Sequence, residues 1–443
     1  MTWFVVPDFP FHPPRLPADL AVRLPAGQLL GPSDARVKLS FSNWSSIARL
    51  KEGKIGALAE DFVEGQLQLD GAMRDLMHVM ARVLPTRPDI NDALWWSALL
   101  AKTKALSAHT PAKDAAQIQF HYDVSDEFYS LWLDPRRVYS CAYYPRLGDA
   151  AITLAQAQEA KLDLICRKLM LKPGERFLDI GSGWGGLLLW AAEHYGVDAT
   201  GITLSKNQHA HVQKLVVDKG LAGRVRVELL DYRHLPEDCT YDKIASVGMF
   251  EHVGRANMTS YFEKIMHLLT PGGLVMNHGI TAGGLGNAQL GAGMGDFIEK
   301  YIFPGGELMH VSAVLQHLAR AGLEMVDSEN LRPHYARTLW DWSDKLEARL
   351  DEARQVLAAD GGSERAEKTL RAYRLYLAGS AMSFEHGWLS VHQMLATRPA
   401  DTPARTQEGK VKGGNCVYPF SRAYMYPNAP DSWMGHVQIH PLN

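Results

Sequence analysis

The chain has 443 residues, 46% of them hydrophobic and 21% charged, with a net charge of −3. It is too long for one ordinary domain and apolar enough to bury a sizeable core, and its charge gives no global attraction to nucleic acid or to an anionic membrane. Cys141, Cys166, Cys239 and Cys416 are widely spaced without a CxxC pair, which argues against a zinc cluster or a disulfide framework and suits a reducing cytosol.

Residues 1–30 are proline-rich and read as irregular. No basic start precedes a long apolar run, so no signal peptide is expected, and no apolar stretch is long enough to span a bilayer. The segment "ARVKLSFSN" alternates like a strand, "WSSIARLKEG" reads as a short helix, and "GQLQLDG" alternates again. These predict a small α+β unit up to about residue 75. Two helical segments follow, "GAMRDLMHVMARVL" and "DALWWSALLAKTKAL".

From residue 152 to 282 strands and helices alternate. "AITLAQAQEAKLDLICRKLML" is an amphipathic helix stopped by Pro173-Gly174, and "ERFLDIG" is a short buried strand. The pattern repeats through the strands "VDATGIT", "RVRVELLDY", "YDKIASVGM" and "GLVMNHGI", which calls for a mostly parallel sheet covered on both faces. Residues 279–295 are glycine-heavy and read equally as a lid or as a tolerated insertion. Residues 310–395 read as mostly helical, and the tail from 400 as irregular.

The turn "FLDIGSGWGG" sets Asp179, Gly181, Gly183, Gly185 and Gly186 between the first strand and its helix. Glycines there let a ligand lie against the backbone. An acid two residues before the first glycine would repel a pyrophosphate at a helix N-terminus, so a cofactor with a cationic amino group fits better. S-adenosyl-L-methionine has one. The second strand ends in "GITLSKNQ", without the acid that many nucleotide-binding folds use for ribose; Gln208 either takes that role or completes a capping box with Ser205. After the third strand, Asp231 and Tyr232 stand where an adenine ring would lie. In "GMFEHVG", Glu251 is either part of a reaction centre or a helix cap, and His252 reads as structural.

With these motifs the sequence resembles the cyclopropane-fatty-acid synthase family of S-adenosylmethionine-dependent methyltransferases, which includes the mycolic-acid cyclopropane synthases. The resemblance rests on "FHYDVSDEFYSLWLD", "YSCAYY", "LDIGSGWGG", "GITLSKNQ", "GMFEHVG", "VMNHGIT", "YIFPGGEL" and "TLWDW", in this order over roughly residues 118–395. It implies an α/β, Rossmann-like class I methyltransferase fold at 106–400, a small N-terminal α+β accessory domain with bridging helices at 1–105, and an irregular tail at 401–443. It implies transfer of a methylene group from S-adenosyl-L-methionine to the cis double bond of an unsaturated phospholipid acyl chain. A carbocation forms, bound bicarbonate removes a proton, and a cyclopropane ring closes. The bicarbonate site would fall on Cys141, Glu251, His278, Tyr335 and the backbone of Ile280. Cofactor contacts would fall on Tyr139, Ser140, Asp179, Gly181, Gly183, Thr203, Leu204, Gln208, Asp231 and Tyr232, under an arm holding Phe120, His121 and Tyr122.

Such an enzyme would be cytoplasmic, would touch the inner membrane face transiently, would not bind nucleic acid or a metal, and is often a homodimer. Tyr143, Tyr144, Phe250, Tyr301, Phe303, Trp340 and Trp342 are plentiful aromatics near the site, each either cation-stabilising or ordinary core. Glu385 and His386 are expected near the acyl channel. The rivals are a methyl- or methylene-branched product from the same cation, N-methylation of a small amine, and a lipid-binding protein without catalysis.

Overall fold

The computed structural model describes residues 16–84, 124–146, 150–236, 240–285, 293–303, 306–400, 418–419 and 421–426. The expected arm at 120–122, the helical segment at 92–106 and most of the tail lie outside these residues.

The N-terminal unit is a four-stranded sheet, β1 (Leu20–Arg23), β2 (Leu29–Leu30), β3 (Val37–Phe41) and β4 (Leu67–Asp70), in the order β2-β1-β3-β4. In β3, Val37, Leu39 and Phe41 point inward and the residues between them are only half-buried, the period-2 signature of a sheet covered on one face. The cover is α1 (Trp44–Lys51), α2 (Ile55–Val63) and α3 (Met73–Val83). Asn43 accepts a hydrogen bond from Ser46 N–H and so starts α1. Two expectations change here. The stretch read as irregular contains β1 and β2, and α2 was not foreseen.

The larger unit begins with α4 (Asp126–Trp132) and α5 (Leu154–Lys168). Then β5 (Arg176–Ile180), α6 (Gly186–Tyr195), β6 (Asp198–Thr203), α7 (Lys206–Asp218), β7 (Val225–Leu229), β8 (Tyr241–Val247), α8 (Met258–Leu268) and β9 (Leu269–Ala282) alternate as expected. Beyond them come α9 (Met294–Tyr301), α10 (Val311–Arg320), β10 (Glu324–Asn330), α11 (Arg332–Glu347), α12 (Leu350–Glu385, kinked at Gly362) and β11 (Leu389–Thr397). The region expected to be mostly helical therefore supplies two more strands.

The seven strands run β10-β11-β9-β8-β5-β6-β7. Pairs from β7 through β9 are parallel, and β11 lies antiparallel between β9 and β10. From β5 the chain winds outward through β6 to β7, then returns to β8 on the other side of β5. This reversal leaves a crevice at the C-terminal ends of β5 and β8, where doubly wound sheets bind ligands.

The two units share one apolar core. It runs from Val37, Phe62 and Met77 to Trp132, Trp342, Leu377 and Val391. Polar ties cross the same boundary. Arg371 donates to Phe62 O at 3.1 Å and to Gln68 Oε1 at 3.1 Å, and Arg74 Nη2 donates to Asp344 Oδ2 at 2.5 Å.

Candidate active site

A cavity of about 160 Å3 opens at the crevice. Tyr139, Ser140, Asp179, Gly181, Gly183, Thr203, Leu204, Gln208, Asp231 and Tyr232 all line it. The strand ends explain why residues so far apart in sequence converge. Asp179 is the penultimate residue of β5, Thr203 closes β6, Asp231 follows β7, and Gly248 follows β8.

Gly183 lines this cavity with φ 54°, a left-handed backbone conformation that favours glycine. Asp179 is 2% exposed, and burial pushes its carboxyl up to about 7 although the ammonium of Lys161 pulls the other way. Burial in turn lowers Lys161 to about 8. Lys161 Nζ donates to Ser140 Oγ at 3.0 Å, and Gln158 Nε2 donates to Ser140 O at 2.9 Å. Thus α5 holds the Tyr139–Ser140 turn from below. Lys161 also lines the cavity and was not singled out from sequence.

At the end of β6 the capping-box alternative is half realised. Ser205 Oγ accepts from Gln208 N–H, but the Gln208 carboxamide turns to Thr203, whose Oγ1 donates to its Oε1 at 2.8 Å. Gln208 Nε2 is left buried without a partner among the described residues, on the cavity wall. A buried unpaired donor is costly, so its position favours a ligand acceptor over a cap. Burial raises the Asp231 pKa, but hydrogen bonds from Arg233 outweigh it and leave the group below its ordinary value. Tyr232 is fixed edge-on against Tyr261 at 5.3 Å.

A second cavity, about 290 Å3, adjoins the first. Cys141, Glu251, His278, Ile280 and Tyr335 all line it. Tyr139, Ser140, Gly248 and His252 line both cavities, so the two meet there. His252, expected to be structural, stands on this shared edge.

Glu251 lies in a 3-10 turn, Phe250–His252, after β8. Its Oε1 accepts Ile280 N–H at 2.7 Å, and its Oε2 is buried with no partner among the described residues. Burial pushes its carboxyl from 4.5 up to about 7, against the pull of that backbone bond. The approach depends on Gly279, because a Cβ there would come within 2.8 Å of Glu251 Oε1 and 2.2 Å of the Phe250 ring. His278, on β9, is 1% exposed with neither ring nitrogen partnered among the described residues, and burial drives its pKa well below 6.5. It stays neutral, with one nitrogen able to donate and one able to accept. The unpaired Glu251 and His278 atoms fit a small anion that carries its own hydroxyl.

Cys141 is fully buried. Its thiol points to Ala142 O at 3.2 Å and its pKa is pushed far up by burial, so it is no nucleophile. Tyr335, on α11, packs against Phe384 at 4.7 Å.

Of the seven aromatics read as either cation-stabilising or ordinary core, Phe303 lines the second cavity, while Tyr143, Tyr144, Phe250, Tyr301, Trp340 and Trp342 fall to the second alternative. The aromatic lining comes instead from Phe41, Phe62, Tyr139, Phe297, Tyr335, Tyr376 and Phe384. Glu385 and His386 also lie off the cavity, and Glu385 Oε1 accepts from Trp340 Nε1 at 2.8 Å.

A family profile described as mycolic acid cyclopropane synthetase matches residues 109–394. The chain belongs to this family. A probable fatty acid methyltransferase of Pseudomonas putida is 44% identical over 370 residues, 84% of this chain and 89% of that protein. Among solved structures, the cyclopropane synthase MmaA2 from Mycobacterium tuberculosis is 35% identical with a TM-score of 0.58, covering 64% of this chain and 98% of its own. Mycolic acid cyclopropane synthase CmaA1, solved with SAH and CTAB, is 36% identical with a TM-score of 0.57 over 64% of this chain and 98% of its own. Family and fold are those of S-adenosylmethionine-dependent methyltransferases acting on lipid acyl chains, with the mixed α/β sheet expected from sequence.

Proposed function

We propose that the protein transfers a one-carbon unit from S-adenosyl-L-methionine to the cis double bond of a phospholipid acyl chain and closes a cyclopropane ring. The observation that carries this is the junction of the two cavities. A polar crevice with an unpaired Gln208 donor abuts an apolar cavity at Tyr139, Ser140, Gly248 and His252. When bound, S-adenosyl-L-methionine supplies an electrophilic methyl group and bicarbonate supplies a base.

The chain's own residues do the rest. The Gly181–Gly183 turn and Gln208 would hold the cofactor, and Asp179 would take its ammonium group. An alkene is a weak nucleophile with no proton to lose, so alignment and exclusion of water matter more than activation. Tyr139, Phe303, Tyr376 and Phe384 provide a dry wall on which a cation is tolerated. A protein carboxylate beside that cation would trap it covalently. Glu251 is instead held by Ile280 N–H so that Oε2 is available to orient the anion, and His278 and Tyr335 complete the cage. The proton leaves the added methyl, and the electrons of that C–H bond close the ring.

A lipid substrate would be met by transient contact with the inner membrane face; no described helix is long and apolar enough to cross a membrane. A homodimer would let one subunit stay on that surface while the other turns over. A branched product from the same cation is the second reading, favoured by the name of the Pseudomonas putida relative. An amine acceptor fits poorly in a cavity with so apolar a lining.

The test is incubation of the purified protein with S-adenosyl-L-methionine, bicarbonate and vesicles of a cis-monounsaturated phospholipid. Mass spectrometry and proton NMR follow. An added CH2 with high-field ring signals is expected, and removing carbonate from the buffer should slow turnover. The same mass with vinylic signals would replace ring closure by branching. No mass gain with cofactor bound would defeat the lipid reading.

A further inference from the structure

The two units line the apolar cavity with different chemistry. Its polar side chains, among them Ser140, Glu251, His278 and Ser383, all come from the larger unit. Every residue that the N-terminal unit contributes is apolar, with Phe41 on β3, Leu58 and Phe62 on α2, and Met77 and Met80 on α3. The methyl-transfer edge lies in the larger unit, so a chain whose double bond sits there has its remaining carbons to place. Residues 39–84 supply a wall that is apolar throughout for them, and it continues into apolar side chains of the larger unit such as Leu339, Leu375 and Val391.

The wall lies outside the family profile, which begins at residue 109, and MmaA2 is accounted for over 98% of its length by 64% of this chain; the Pseudomonas putida relative, matched over 84% of this chain, reaches into it. The wall is also built against the site, not merely near it. A Cβ at Gly56 would lie 2.0 Å from Gly293 O, so the backbone of α2 touches the residue that starts α9, and α9 itself lines the cavity through Met294, Phe297 and Ile298. Two methionines in the wall give a surface that adapts to flexible chains.

We propose that the N-terminal unit forms the tail-end subsite for the acyl chain and thereby sets the chain length that the enzyme accepts. This rests on the acyl-chain reading above. Removing or adding methylenes at an apolar wall changes kcat/KM by about tenfold or more, so a wall of this kind is a selectivity device.

The experiment uses the full chain and vesicles of phosphatidylglycerol whose oleoyl chain carries a diazirine near its methyl end. After irradiation, mass spectrometry of the digest locates the crosslinks. Crosslinks on residues 39–84, at Phe62 and Met77 above all, are expected. Crosslinks confined to residues 124–400, or none, overturn the proposal. Capture needs binding but no turnover, and product mass is read from the same vesicles, so a failure of methyl transfer is seen separately. Leu58→Trp and Met77→Phe then fill the wall. The ratio of kcat/KM for palmitoleoyl over oleoyl chains should rise by about tenfold with cofactor affinity unchanged. An unchanged ratio in a folded variant overturns the proposal, and crosslinking of the wild type decides it if neither variant folds.

Discussion

Glu251, buried with Oε2 unpartnered among the described residues, costs the fold stability. Its folded pKa of about 7 lies above its ordinary 4.5, so the fold favours the neutral form. The sign follows from proton linkage: this contribution is full below pH 4.5 and is lost as pH rises through about 7. Glu251→Gln keeps an oxygen for Ile280 N–H and removes the buried charge. Melting curves without bicarbonate should show the variant level with wild type at pH 4 and more stable by about 3 kcal/mol above pH 7. Turnover should fall about a hundredfold or more, the usual loss when acid–base chemistry is disabled. Cys141 behaves oppositely. With a buried thiol and a high pKa it acts through its place in the turn, and Cys141→Ser should keep substantial activity in the lipid assay. At this scale much was legible in the sequence. Strand ends carry side chains to one edge of a parallel sheet, so Asp179 and Asp231 could be placed by counting strands, whereas Thr203 and the role of Glu251 came from the family resemblance. Lys161 was missed although a signal existed. Leu154, Gln158, Lys161, Ile165 and Lys168 form the buried stripe of α5, and two lysines on such a stripe call for buried partners.

Elements were legible where their periodicity was clean and hidden where it was not. β5, β6 and β8 read as short apolar runs. β11 did not, because "LSVHQMLAT" is buried along its whole length yet carries serine, histidine and glutamine inside. His392 finds its partner only across the sheet, on Thr281 at 2.9 Å. β1 is four residues long and flanked by prolines at 17 and 25, which masked it. The helix α2 was obscured by an early glycine that the structure now explains. Gly56→Ala puts a methyl group 2.0 Å from a backbone oxygen, and backbone cannot yield as a flexible side chain can. The variant should be destabilised by about 1–3 kcal/mol. Calorimetry should find its cofactor affinity unchanged while lipid turnover falls, because only the apolar cavity depends on the contact between α2 and α9.

Over the whole molecule, the sequence divides into an N-terminal unit and a methyltransferase unit, but the folded chain joins them by one apolar core and by Arg74 and Arg371. A shared core predicts shared unfolding. Scanning calorimetry should give one transition, with protease cleavage in residues 44–83 and in the larger unit rising at the same temperature; early loss of the N-terminal unit alone would show that the interface is weak. The patterning of each unit was visible because it depends on local periodicity, whereas their common cavity was not, because neither unit contains it alone. The junction of the two cavities has a kinetic consequence. Their linings share four of the described residues, so on the acyl-chain reading proposed above spent cofactor would leave without evicting a seated chain, and addition of the two substrates would need no fixed order.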